Sequence, residues 1–238
     1  MPNPVTHLAI ADKIYSLLGE DIISNLPLFF SGNLAPDAIH ARTNYQRSDK
    51  IRSHLRDDVT MPLGYIRSFG YGDPDAAKLS DERIKDFIEK YYLSANEDKD
   101  LYLGYAIHIL ADQFVLFMIY EQLENHLISI GIDVKEPDYR KNLIDKIHNG
   151  EYKYIFDEIT KSFDLSISDY VFEHDIVALL ESVWDYEVPD HITANEANIS
   201  KRWVIDRYFK NAPSVAEKRD VGFVDIVAQK IIAWNKGK

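Results

Sequence analysis

The sequence predicts an all-α protein: a single multi-helix domain packed around a central apolar helix. Three observations predict it. The run 101–117, LYLGYAIHILADQFVLF, is the most apolar stretch of the 238-residue chain. Glycine and proline are few, at 10 and 9, and the stretches between them are rich in the helix formers Leu, Ile, Ala, Glu and Lys. No segment alternates polar and apolar residues and then meets a hairpin turn. Hydrophobic residues make up 46% of the chain, enough for a sizeable core. No interdomain linker, internal repeat or low-complexity tract divides it.

In order along the chain, Pro4 can open a first helix, with Leu8, Ile10, Ile14, Leu17 and Leu18 as its apolar stripe and Gly19 as its stop. His7 falls in its first turn. A second short helix is expected over 21–30, ending at Ser31-Gly32-Asn33. In the LAPDAIHARTNYQ segment that follows, Pro36 and Asp37 break regularity, which puts Asp37 on a loop or at a helix start. A short polar helix over 48–58 would hold His54. Residues 60–77 read as a shaped loop, with Tyr65, Phe69 and Tyr71 as pocket lining or packed anchors. Ser80 is expected to cap a helix over 81–94.

The central helix follows. Asp98 or Asp100 can cap it, and it can run to about residue 130, where Gly131 stops it. Its length invites a break near 118–121. Helices are then expected over 138–148, 152–163 and, most strongly, 168–186. Pro189 and the polar run HITANEANIS mark a connection before the last helices, 201–209 and 221–234.

Composition removes several classes of function. The formal net charge is −12, so phosphate backbones repel the chain and a broad nucleic-acid surface is not expected. Small anionic substrates stay open, because a bound dication inverts the local charge. With no cysteine, a metal site would have to use histidine and carboxylate. The N-terminus has no basic and apolar leader, and no run of about 18 residues is free of charged or strongly polar groups. The expectation is a soluble, cytoplasmic protein without a transmembrane segment. No GxGxxG, Walker or GxSxG motif supports a nucleotide cofactor or a serine nucleophile.

Within the apolar run, His108 and Asp112 are four residues apart and share a helix face. They suit paired ligands of one ion, or a core histidine hydrogen-bonded to its own aspartate. His7, Asp37 and His54 occur in order before them. Two His and two Asp make a sound set for Zn2+ or a related dication. Other candidates have plainer readings. Glu173-His174-Asp175 contains an HD dipeptide, more often a structural pair. His40 reads as surface. Arg42, Arg47, Arg52, Arg56 and Arg67 gather around Asp37 and His54, as phosphate clamps or as a solvated face.

The order THLAIA with His7, GNLAPDAIH with Asp37, then His54, then Gly104-Tyr105-Ala106-Ile107-His108-Ile109-Leu110-Ala111-Asp112 resembles the bacterial zinc-dependent phospholipase C family. More broadly it resembles the all-α superfamily shared with the P1/S1 nucleases. The likeness covers roughly residues 1–115. It implies that fold, a divalent metal (Zn2+ first), and hydrolysis of a small or lipid-derived phosphoester by a metal-activated water. It also implies Asp37, His54, His108 and Asp112 as metal ligands, with Asp37 doubling as general base. His7 would join the site, act as an unmetallated base, or cap its own helix. The chain departs from the family in lacking an N-terminal Trp and an HxxxE after Asp112: His126 is followed by Ile130 and His174 by Ala178. The alternative is a non-catalytic helical metal-binding or sensor protein on the same scaffold, holding a structural metal.

Overall fold

A computed structural model of the chain describes residues 2–56, 74–95, 97–134, 139–210 and 220–236. All regular elements among them are helical, and the only β pairing is an isolated bridge between Val188 and Ile192. The helices are α1 Pro4–Leu18, α2 Leu26–Leu34, α3 Arg47–Ser53, α4 Pro74–Phe87, α5 Lys99–Ser129, α6 Tyr139–His148, α7 Lys153–Ser162, α8 Ile176–Glu181, α9 Ala194–Val204 and α10 Gly222–Lys236. A 3-10 segment, Ala35–Ala41, continues α2, and π-type turns extend α4 (Ile88–Tyr92) and α9 (Ile205–Lys210). One apolar cluster runs from Val5 on α1 to Ile231 on α10.

Two helices form the interior. α5 is continuous from Lys99 to Ser129, with no break near 118–121. By length and composition it is the one helix among the described residues that could cross a membrane, which the sequence reading did not expect. In this fold 78% of its most apolar window is buried inside the protein. α1 buries every residue from Val5 to Asp12, more than the expected single stripe. Pro4 opens it, the Asn3 side chain accepts the Thr6 N–H as its cap, and Gly19 closes it at φ +71°.

α2 packs more extensively on α5 than any other two elements pack on each other. Glycine makes that closeness possible. A Cβ on Gly32 would lie 1.9 Å from the Leu101 carbonyl oxygen, and one on Gly104 would lie 2.1 Å from that of Phe29. The two backbones therefore touch, and this brings the end of α2 to His108.

Several boundaries differ from the sequence expectation. α2 begins at Leu26, capped by the Asn25 side chain. α4 begins at Pro74, so Ser80 lies inside it and does not cap it. The strong helix expected over 168–186 shrinks to Ile176–Glu181. The buried Asp12 carboxylate draws in the Glu173 N–H (3.1 Å) and His174 Nδ1 (2.9 Å), and the Asp175 side chain then caps α8. The stretch taken as a connection starts α9 instead: Thr193 and Glu196 form a capping box. The expected loop 60–77, with Tyr65, Phe69, Tyr71 and Arg67, lies largely outside the described residues.

Candidate metal centre

The five residues singled out in the sequence come from four elements and meet at one place. α1 supplies His7, the 3-10 segment Asp37, the residue ending α3 His54, and α5 both His108 and Asp112. The Asp112 carboxylate sits at the centre. Its Oδ1 is 3.3 Å from His7 Nε2, and its Oδ2 is 3.4 Å from His54 Nε2 and 3.9 Å from His108 Nε2. Asp37 closes the other side, with Oδ1 3.5 Å from His54 Nε2 and Oδ2 4.0 Å from His108 Nε2. Ligands held tetrahedrally at about 2.0–2.1 Å from one zinc ion would stand about 3.3–3.4 Å apart. The shorter of these separations match that spacing.

Backbone carbonyls set the histidine tautomers. His108 Nδ1 is 2.7 Å from the Asn33 carbonyl, and His54 Nδ1 is 3.0 Å from the Lys50 carbonyl. A carbonyl only accepts, so each Nδ1 carries the proton and each Nε2 presents its lone pair to the cluster. Tyr105 donates its hydroxyl to the Ser53 carbonyl, which ties α5 to the end of α3 just before His54. The His7 and His108 rings stack at 3.8 Å and 7°, an arrangement suited to neutral imidazoles. The cap of α1 belongs to Asn3, so His7 has no capping role.

Burial and crowding settle the charge states. Burial and the neighbouring His7 push His108 down to about 3. Burial likewise lowers His54, against the pull of Asp37. Burial would raise both carboxyls. For Asp37 it is outweighed by the Lys50 ammonium and by His54 and His108, which hold it well below the usual carboxylate range. For Asp112 the His7 contact, with His108 and His54, does the same. Burial thus favours the neutral form of His54 and His108, beside carboxyls that favour the ionised form, the protonation states a metal requires of such ligands.

The donor atoms are otherwise idle. His7 Nε2, His54 Nε2, His108 Nε2 and both oxygens of Asp112 are buried with no hydrogen-bond partner among the described residues. Buried polar atoms are rarely left so, and these lie close enough together to bind a metal ion. Two overlapping sets, His7–His108–Asp112 and Asp37–His54–His108, each have their ligand atoms within 4.8 Å of one another. The donor set of nitrogens and oxygens fits a divalent ion.

Among the described residues, the cluster is open on the side of Asp37. His7, His54, His108 and Asp112 are no more than 1% exposed, whereas Asp37 is 25% exposed. A pocket of about 470 Å3 opens there, reached by His7, Asp37, His40 and His108 and walled by Leu34, Ile199, Trp203 and Val204. α9 stands as the far wall because Arg42 binds it. The Arg42 guanidinium reaches Glu196 at 2.6 Å and Asp49 at 3.0 Å.

The other sequence candidates separate. His40 is half exposed on the pocket rim, 3.7 Å from Asp37. Arg42 is structural, Arg47 and Arg52 are exposed, and Arg56 is buried 3.9 Å from Asp112. The HD dipeptide contributes no ligand: His174 pairs with Asp12 and Asp175 caps α8. Sequence reasoning missed Lys50, whose Nζ is 2.8 Å from Asp37 Oδ1. Its signal was present, since Lys50 precedes His54 by four residues on a helix. The α9 wall was missed with its capping box.

Comparison of the chain with protein-family profiles, with curated proteins and with solved structures returns no match.

Proposed function

We propose that this chain is a metal-dependent hydrolase of phosphoesters, phospholipase C-like in its ligand set, with Zn2+ as the first candidate metal. One observation carries the reading: His7, His54, His108 and Asp112 turn metal-type donors that lack a hydrogen-bond partner among the described residues toward one another, with Asp37 beside them at an open, mainly apolar pocket. A closed structural site would be saturated by protein and sealed; a catalytic one keeps an approach.

His54, His108, Asp112 and Asp37 would hold the ion, with His7 on the far oxygen of Asp112. When bound, such an ion polarises a phosphoryl oxygen and lowers the pKa of water. Asp37 stands between cluster and pocket, ionised, and can take the proton of an attacking water as general base. The carbonyls of Asn33 and Lys50 keep the ligand lone pairs aimed inward. Leu34, Ile199, Trp203 and Val204 offer contact to an apolar group on the substrate, which fits a lipid-derived phosphoester.

The second reading is a structural metal in a binding or sensor protein. It is favoured by the near-complete burial of four of the five residues. Elemental analysis of the purified protein and hydrolysis of a generic phosphodiester, each repeated on His108→Ala, separate the two. The enzyme reading expects stoichiometric metal and turnover, both lost in the variant. Metal lost with hydrolysis unchanged would end the enzyme reading; metal retained would end this ligand set.

A further inference from the structure

We propose that the pocket beside the cluster takes one unbranched apolar chain of the substrate, of roughly 12 carbons, and that Ile199 and Trp203 of α9 select it. The inference rests on the phosphoester reading above and narrows its substrate class to single-chain amphiphiles.

Three observations lead there. First, two chemistries meet in one cavity. His7, Asp37 and His108 line it on the cluster side, and Ile199, Trp203 and Val204 wall it on the side of α9. A ligand that spans it has a polar end at the donors and an apolar end at the helix. Second, the α9 wall leaves apolar surface in water. Ile199 and Trp203 are four residues apart, one turn along the same face, and stand 47% and 51% exposed. Single exposed apolar side chains are ordinary, but these two share one face and one cavity. A ligand that covers them gains in proportion to the apolar area it removes from water. Third, the wall is fixed before a ligand arrives. Arg42 holds the start of α9 through Glu196 at 2.6 Å, and on the opposite face Lys201 donates to the Val183 carbonyl. Tyr208 packs edge-on to the Trp203 ring with centroids 5.6 Å apart, and the Arg207 guanidinium lies 5.3 Å from it. A preset wall loses little freedom on binding, which favours affinity.

The volume sets the size. An apolar cavity of about 150 Å3 holds benzene, and this pocket, at about 470 Å3, holds roughly three such shares. A phosphoryl group at the donors takes about one share, and the other two leave room for one chain of roughly 12 carbons. A second chain on the same phosphorus has no share left. Selection comes from volume and from the apolar face of α9, and depends on no particular charge within the cluster.

The test titrates zinc-loaded full-length protein calorimetrically with butyl-, octyl-, dodecyl- and hexadecylphosphonate, each below its micelle-forming concentration. Their C–P bonds survive a phosphoesterase. Octylmethylphosphinate and dioctylphosphinate compare one chain with two. Trp203→Ala, Trp203→Phe and Ile199→Ala are run beside wild type, with zinc content and circular dichroism measured on each. Val171→Ala is the control, at an exposed residue that is not among those lining the pocket. Wild-type affinity should rise roughly two- to fourfold per methylene as far as about dodecyl and then level off, and the second octyl chain should add less than about twofold. The octyl-to-butyl affinity ratio should fall roughly 10-fold in Trp203→Ala and by a smaller factor in Ile199→Ala, recover in Trp203→Phe, and stay at the wild-type value in Val171→Ala. Wild-type affinity independent of chain length would overturn the proposal, as would a rise that continues undiminished to hexadecyl or a second chain that adds as much as the first. A ratio unchanged in both alanine variants of α9, or an equal fall in Val171→Ala, would overturn it too. Wild type that takes up no zinc would instead bring down the metal reading. The same series on that protein then decides the pocket alone, because the apolar wall needs no ion.

Discussion

Helix α1 carries two buried ionisable residues, and their surroundings are opposites. At Asp12 both carboxylate oxygens are engaged: Oδ1 by His174 Nδ1 at 2.9 Å and Oδ2 by the Glu173 N–H at 3.1 Å. At His7, five residues earlier and on another face, neither ring nitrogen has a hydrogen-bond partner among the described residues, and the facing oxygen of Asp112 has none either. Both groups are Asp/His pairs inside the same core. One is closed by backbone and side-chain donors and needs nothing more. The other brings several donor atoms together in one small space, close enough to bind a metal ion. An HD dipeptide marks the closed group and an HxxxD motif the open one, so residue identity alone does not tell them apart. What distinguishes them is whether the backbone supplies the donors.

The strongest way to break this contrast is to remove a donor from the open group. His108→Ala should lower metal affinity by about 100-fold or more while the protein stays folded, measured by elemental analysis and calorimetric zinc titration. His174→Ala should leave zinc binding at the wild-type value. If both variants lose metal alike, the two groups are not different in kind.

Next in size is the packing that builds the open group. Gly104→Ala puts a methyl group against the Phe29 carbonyl and must part α2 from α5, pulling the Asn33 carbonyl away from His108. A destabilisation of about 3 kcal/mol in urea unfolding is expected, with weaker zinc binding. Wild-type zinc affinity in this variant would show that the glycine contact does not position the ligand.

Acid should act on the open group in the absence of metal. His108 is held near 3 in the folded protein, while an unfolded histidine takes its proton near 6.5. Between those values the unfolded chain binds more protons, so stability falls as pH drops below about 6.5. From pH 7.5 to pH 5 the metal-free protein should lose about 2 kcal/mol through this residue. His54, lowered as well, adds in the same direction. Asp37 and Asp112 extend the loss below about pH 4, because their folded values lie under the ordinary carboxylate value. Urea midpoints across this range measure it, and a loss between pH 7.5 and pH 5 that is smaller by about 2 kcal/mol in His108→Ala would assign that share to His108. The smallest effect belongs to the closed group. His174→Ala should cost about 1.5 kcal/mol, since Asp12 keeps its Glu173 N–H.

Of the open group, the His108–Asp112 pair was legible locally, one turn apart in an apolar run, whereas His7, Asp37 and His54 were joined to it through a motif order that resembles the zinc-dependent phospholipase C family. The long apolar helix was legible locally as well. What escaped depends on partners far away in sequence. The expected 168–186 helix is interrupted by a carboxylate 161 residues earlier, which no local propensity registers. Lys50 reaches Asp37 only because the 3-10 segment turns back over α3. The α9 wall is different, for its Thr193–Glu196 box was local and was hidden by the polar residues around it.

The central claim is that the idle donors around Asp112 are a metal site. The direct measurement is the melting temperature of chelator-treated protein, recorded with and without zinc at about 100 times its dissociation constant and paired with a calorimetric titration. The account predicts stoichiometric binding and about 2.7 kcal/mol of added stability, both absent in His108→Ala. Identical melting with and without zinc, and no heat of binding in wild type, would contradict it and make the open group as closed as the one at Asp12.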